Sequence, residues 1–158
     1  WDESDALLKA NLAKSHSPYY LMSQLGGNAR KRGLNDQALQ WYGEAFAKSE
    51  GPATRLQWGT SYLQALVDLA PKDAARIEKT AATLIQEAGQ DKGAFSGRSA
   101  RSLQRAATKL QHWNADGAHA ETIKRLQAQL APVCAALPAQ AAPRGTCDAL
   151  LRGKPSVG

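Results

Sequence analysis

The chain has 158 residues and a formal net charge of +6, which favours acidic partners without specifying a fold. Its length suits one ordinary domain with a substantial core, and no apolar run approaches the ~20 residues that cross a bilayer. Alanine and leucine dominate, β-branched residues are few and aromatic residues make up 6%, a composition that favours helices over strands.

The chain begins at Trp1 without a basic region followed by an apolar stretch. We therefore expect no signal peptide, and interpret the chain as a processed protein or a piece of a longer one. Residues 2–17 are predicted to form a leading helical segment, whose helix spans about 2–15. Ser17-Pro18 ends it, because the residue before a proline is pushed out of the α region.

A closely packed helix pair is predicted in residues 18–50, with helices at about 18–32 and 35–48. Gly26 and Ala38 remove side-chain bulk at facing positions, so that two antiparallel helices approach closely. Gly33 supplies the left-handed conformation that closes the first helix. The residues predicted to form this contact are Leu25, Gly26, Ala38, Tyr42 and Ala45.

This spacing resembles the tetratricopeptide repeat, a helix-turn-helix unit of about 34 residues with Leu-Gly followed by small and aromatic positions. The chain departs from that pattern in two places: Ala29 stands where the family usually has an aromatic residue, and the terminal proline is displaced to Pro52. The resemblance implies a stack of helical hairpins with a concave ligand-binding face.

Further helices are predicted in two later pairs. Helices at about 53–69 and 72–88 form a second hairpin in residues 52–89, where Trp58-Gly59 followed by Tyr62 repeats part of the pattern. Helices at about 94–113 and 118–137 form a third hairpin in residues 94–137, with a kink or restart expected at Pro132. Asp68 and Asp73 are predicted to be cap residues near helix ends.

A short helix at about 146–151 is predicted in the tail, residues 138–158. The predicted fold class is thus all-α, a right-handed α-α superhelix of about seven helices with a short C-terminal helix, in a single domain spanning 1–158.

The two cysteines, Cys134 and Cys147, do not have the C-x-x-C spacing of a redox motif or a tight metal site. They are either buried free thiols or a structural disulfide, which we favour because it would tie down the Ala/Pro-rich segment between them. Closing such a loop would contribute ~3 kcal/mol in the chain-entropy description. A disulfide would indicate an oxidising compartment such as the periplasm.

Basic residues recur at spacings of three and four along the predicted sixth helix, which places them on one stripe. Such a stripe would bind an acidic peptide, a carboxylate or another domain, because arginine forks pair with carboxylates. Alternatively, it is a solvated helix face partly paired with Glu78 or Glu87. The stripe consists of Arg98, Arg101, Arg105, Lys109 and His112.

The tetratricopeptide resemblance implies a second candidate surface on the first helix of the first hairpin. Members that clamp a chaperone's C-terminal carboxylate use asparagines and basic residues there, whereas Ser23 and Gly27 replace the asparagines here. Generic peptide binding remains as one hypothesis; the other is that the first helix or another domain covers the groove. The implied residues are Tyr20, Ser23, Gly27, Arg30 and Lys31.

No pattern of serine, cysteine and histidine indicates nucleophilic catalysis, and no glycine loop of the phosphate-binding kind occurs. His112 and His119, with Asp116 between them, form only a weak pair for a metal. We therefore predict no catalytic residue, no cofactor and no metal. Nucleic-acid binding is disfavoured, because the charges lack interleaved aromatic residues.

A further resemblance covers most of the chain. The runs PYYLM, ALQWY, GPATR and LQWG, the arginine-spaced sixth helix, and then VCAALP with a late cysteine, are similar to the helical region after the thioredoxin domain in some exported Gram-negative thioredoxin-family proteins. It implies a non-catalytic, periplasmic C-terminal module whose partners are a protein or peptide and a thioredoxin domain of the same parent chain. The alternatives are a stand-alone adaptor or scaffold without a redox link and, third, a basic nucleic-acid binder.

Overall fold

The computed structural model describes residues 2–12 and 18–152 of the chain. Within these ranges the protein is all-α, as predicted, with eight helices and no strand. None of the described helices combines the length and apolar character that crossing a bilayer requires. The helices are α1 (Asp2–Leu12), α2 (Tyr19–Lys31), α3 (Asn35–Lys48), α4 (Pro52–Leu69), α5 (Ala74–Ala88), α6 (Gly97–Trp113), α7 (Ala120–Ala135) and α8 (Ala142–Ala149).

Glycine and proline set the first helix boundaries. Gly33, with φ of 77°, lies between α2 and α3, and Gly51, with φ of 88°, precedes Pro52 in the first turn of α4. Both φ values belong to the left-handed region that glycine adopts at little cost. The predicted end of the leading helical segment, residues 13–17, lies outside the described residues, as does the tail from residue 153.

Several predicted boundaries were wrong. The side chain of Asp73 accepts a hydrogen bond from the Arg76 N–H at 3.2 Å, so α5 begins at Ala74, two residues later than predicted. Ala94 and Phe95 are buried in a turn before α6. The helix begins only at Gly97, which has a φ of 56° and follows Ser96 in an extended conformation.

The last two helices also differ from the prediction. α8 begins at Ala142, with Pro143 in its first turn, where the missing N–H costs nothing. α7 does not restart at Pro132, because the proline lies in the last turn of the helix and its carbonyl still accepts from the Ala136 N–H at 3.1 Å.

Contacts at a constant sequence offset show that α2 and α4 run in the same direction. The rings of Tyr20, in the first turn of α2, and Trp58, in the second turn of α4, meet edge to face with centroids 5.1 Å apart. Near their ends, the Arg30 guanidinium lies 3.0 Å from an Asp68 carboxylate oxygen. The two helices therefore lie side by side and parallel, in one layer.

A second layer contains α5 and α7, which are also parallel. Arg125 of α7 donates two hydrogen bonds, of 2.8 and 2.7 Å, to the Glu78 carboxylate of α5. Farther along, the Gln129 amide donates to the Ala82 carbonyl at 2.9 Å. α6 packs mainly against α4, and α7 against α5, so the main partner of each helix lies outside residues 94–137.

α2 and α3 pack against each other. A Cβ added at Gly26 would lie 3.0 Å from Cε1 of Tyr42, another residue of the predicted contact. Ala38 and Leu25 are fully buried, and Ala45 is almost so. A tighter approach occurs at Gly59 of α4, where an added Cβ would lie 2.4 Å from Cδ2 of Leu84.

Arg55 joins the end of α3 to α4 and α5. Its guanidinium donates to both carboxylate oxygens of Glu87, at 2.7 and 3.0 Å, and to the carbonyl oxygens of Phe46 and Ser49, at 3.1 and 3.2 Å. The hydrogen bond to Glu87 raises the pKa of Arg55. Arg55 thus supplies hydrogen-bond donors to carbonyl oxygens at the end of α3, where a helix leaves such groups without an intrahelical donor.

Cys134 of α7 and Cys147 of α8 form a disulfide, as the favoured alternative predicts. Both half-cystines are buried, and so are Leu150 and Leu151 beyond them. The disulfide therefore anchors the last described turn of the chain to the core.

Candidate functional site

α4 and α6 lie side by side and parallel, and their ends are joined by two hydrogen bonds. The Lys109 ammonium donates to an Asp68 carboxylate oxygen at 2.9 Å, and the Trp113 indole N–H donates to the Pro71 carbonyl at 2.8 Å. An open cleft of about 830 Å³ runs between the two helices. We call it the α4–α6 cleft.

The predicted basic stripe forms one wall of this cleft. Arg101, Arg105, Lys109 and His112 all line it, together with the uncharged Gln104 and Thr108 between them. Arg98 lies in the first turn of α6, is exposed, and does not line the cleft. The opposite wall comes from α4, through Gln64, Val67 and Asp68.

Asp68 connects the cleft to all three parallel helices. One of its carboxylate oxygens accepts from Lys109 of α6 at 2.9 Å, and the other accepts from Arg30 of α2 at 3.0 Å. Partial burial raises the pKa of Asp68, but the hydrogen bonds from Lys109 and Arg30 and their positive charges outweigh it and leave this pKa below its ordinary value. Asp68 therefore forms ion pairs between helices, and is not the helix-end cap that we predicted.

The acidic residues that we expected to neutralise the stripe are engaged elsewhere. Glu78 binds Arg125, and Glu87 binds Arg55. Arg105 donates to the Ser102 hydroxyl at 3.3 Å, a neutral acceptor within its own helix.

Among the residues that the structure describes, the side chain of Arg101 has no hydrogen-bond or ion-pair partner. The cleft wall therefore carries two guanidinium groups, those of Arg101 and Arg105, without a carboxylate. Because a guanidinium presents several N–H donors in a fixed fork, this wall suits a carboxylate-bearing ligand.

The far end of the cleft is apolar. Val67 and Trp113 are buried to more than nine-tenths, and Pro71 lies beside them. The ring of His119 stacks on the Trp113 indole with centroids 3.5 Å apart and planes 4° apart. His119 is thus part of the support for Trp113, whereas His112 lines the cleft. No group of three or more potential metal ligands occurs in residues 2–12 and 18–152.

The candidate residues on α2 do not line the α4–α6 cleft. Tyr20 is 59% exposed but rests on Trp58, and Arg30 is held by Asp68. Lys31 is exposed in the last turn of α2, and Ser23 and Gly27 are half-buried.

The leading helix α1 reaches a different face of α2 from the one predicted to bind. Asn28 donates to Ser4 and Asp5 at 3.1 Å each, and Arg32 donates to Asp2 at 3.2 Å. Neither Asn28 nor Arg32 belongs to the predicted groove set, so these contacts place α1 beside it.

Sequence reasoning missed the α4 wall of the cleft. Asp68 stands one residue before the end of α4, where an acidic residue carries no distinctive signal. Its partners follow only from the packing of α2 and α6 against α4.

Comparisons of the chain with protein families, with curated proteins and with solved structures gave no match.

Proposed function

We propose that this chain is a non-catalytic protein-interaction module that binds an acidic segment of a partner protein in the α4–α6 cleft. The observation that carries this proposal is the pair of guanidinium groups, Arg101 and Arg105, that line an open cleft without a carboxylate partner. A carboxylate bound there would make charge-assisted hydrogen bonds, which are stronger than neutral ones.

We further propose that the helices form a right-handed superhelix of the tetratricopeptide type. In its support, α2, α4 and α6 are parallel neighbours, joined through Asp68. In such a stack, the first helices of successive units share the face that holds the ligand. The α4–α6 cleft opens between two helices of this kind.

A second candidate function concerns the context of the module. The disulfide between Cys134 and Cys147 favours an exported, periplasmic protein, since such bonds persist in oxidising compartments. With the resemblance described above, it supports an accessory C-terminal domain attached to a thioredoxin-like domain in the same parent chain. A Cys-x-x-C in a βαβ context encoded upstream of Trp1 would support this link. If the parent gene lacked it, the stand-alone adaptor or scaffold would be the favoured hypothesis.

The binding proposal can be tested with a fluorescent peptide, capped at both ends, that carries one glutamate among neutral residues. We expect the double variant Arg101→Glu with Arg105→Glu to lose about tenfold or more in affinity by fluorescence anisotropy, because two attractive contacts become repulsive.

Lys92→Glu with Lys124→Glu is the matched control, because both lysines are exposed outside the cleft and the change in net charge is the same. This control should keep the wild-type affinity. An equal loss of affinity in both double variants would mean that the peptide is attracted by net charge alone. If the wild-type protein did not bind the acidic peptide, the proposal would be refuted. A nucleic acid of the same charge that binds more tightly, with a steep salt dependence, would favour the third function instead.

A further inference from the structure

We infer that Asp68 determines which acidic ligands the α4–α6 cleft accepts: it fills the Lys109 end with a carboxylate of the protein's own and leaves only the Arg101–Arg105 end for a ligand acid. The inference rests on the proposed function and deepens it. It predicts a ligand with one acidic group followed by neutral residues, and not an uninterrupted acidic run.

The geometry shows a carboxylate already bound. Each oxygen of Asp68 accepts from a different cation, Lys109 at 2.9 Å and Arg30 at 3.0 Å. The Asp68 side chain is 27% exposed and that of Lys109 34%, so this pair lies at the cleft surface and remains within reach of a ligand. A competing carboxylate that bound Lys109 would have to displace the Asp68 oxygen that Lys109 already holds.

Such a displacement does not increase the affinity for the ligand. A ligand carboxylate that took Lys109 would form one ion pair by breaking another, and it would place two negative charges side by side. Because Arg101 and Arg105 have no carboxylate partner, an acid placed there adds contacts without breaking an ion pair. The first acidic group of a ligand therefore contributes to affinity, and a second group one helical turn away does not.

The distance between the basic residues of α6 determines where the acidic residues of a test peptide should be placed. Arg105 and Lys109 are one helical turn apart, about 6 Å along the axis. In an extended peptide, residues i and i+2 are separated by about 6.6 Å. Two peptides, acetylated and amidated at their ends, therefore suffice: one with Glu at i and Gln at i+2, and the other with Glu at both positions.

The test compares the two peptides on the full chain by fluorescence anisotropy. Wild-type protein should bind both with affinities within about twofold. Asp68→Asn should prefer the two-glutamate peptide by about five- to tenfold, because it frees Lys109 while keeping the shape of the side chain. Circular dichroism and thermal unfolding check that the variant is folded.

Glu78→Gln is the matched control, since it also removes one negative charge from an ion pair, between α5 and α7 and outside the cleft. It should behave as wild type. A second variant, Lys109→Gln, should leave the ratio of the two affinities near one, and it keeps the inference testable if Asp68→Asn does not fold.

Two results would overturn the inference: a wild-type protein that already prefers the two-glutamate peptide and loses this preference in Lys109→Gln, or a folded Asp68→Asn that shows no preference. In either case the single-glutamate peptide still binds, so the proposed function stands. If neither peptide binds to wild type or to Asp68→Asn, the proposed function itself fails.

Discussion

Replacing Gly59 by alanine tests the close packing on which the arrangement of α3, α4 and α5 depends. The added Cβ would lie 2.4 Å from Cδ2 of Leu84 and 2.8 Å from Cε1 of Phe46. These atoms belong to two different helices, and both side chains are buried, so relief requires both to move within a packed core.

The magnitude is the difference of two opposing effects. Overpacking a core by one methyl group costs about 1–3 kcal/mol, whereas replacing glycine by alanine inside a helix favours folding by about 1 kcal/mol. Because the added Cβ would lie as close as 2.4 Å to Leu84, we expect a cost at the upper end, about 2–3 kcal/mol, and hence a net decrease of about 1–2 kcal/mol in the free energy of unfolding. For a chain of this length, the melting temperature should fall by about 2–8 °C.

Urea unfolding followed by circular dichroism measures this change, with two further glycine variants for comparison. Gly145 lies inside α8 with no atom within 4 Å of an added Cβ, so Gly145→Ala should stabilise the protein by about 0.5–1 kcal/mol. In Gly26→Ala the added Cβ would lie 3.0 Å from the half-buried Tyr42 ring, so we expect an effect between those of the other two. If Gly59→Ala were as stable as Gly145→Ala, the proposed approach of α3, α4 and α5 would be refuted.

Two further predictions concern pH and the disulfide. The pKa of Asp68 is lowered in the folded protein, so its ion pairs contribute stability above the ordinary value of 3.8, and this contribution is lost as the pH falls through the lower, folded pKa. In urea unfolding, Asp68→Asn should therefore be less stable than wild type by ~0.5–1 kcal/mol near pH 7, with the difference shrinking as the pH falls below 3.8; a constant difference would contradict the assignment. Cys134→Ser with Cys147→Ser should lose ~3 kcal/mol in stability, and thiol titration of denatured, unreduced wild type should find no free thiol; two free thiols would reject the disulfide.

The helical character of the chain follows from local sequence properties. The all-α class, the exact span of α3 and the ends of α4, α5 and α6 match the predictions, because glycine, proline and apolar spacing act within one or two turns. The shifted starts of α5, α6 and α8 depend on turn geometry, such as the cap at Asp73 and the positive φ at Gly97, which residue spacing alone does not specify.

The sequence by itself also determined that five basic side chains share one face of α6, since residues three and four apart in a helix are neighbours. Only the tertiary structure decided what that face meets. The packing of α6 against α4 put Asp68 beside Lys109, and the packing of α2 against α4 added Arg30. Contacts between residues so distant in the chain depend on how whole helices are arranged, and no local pattern encodes them.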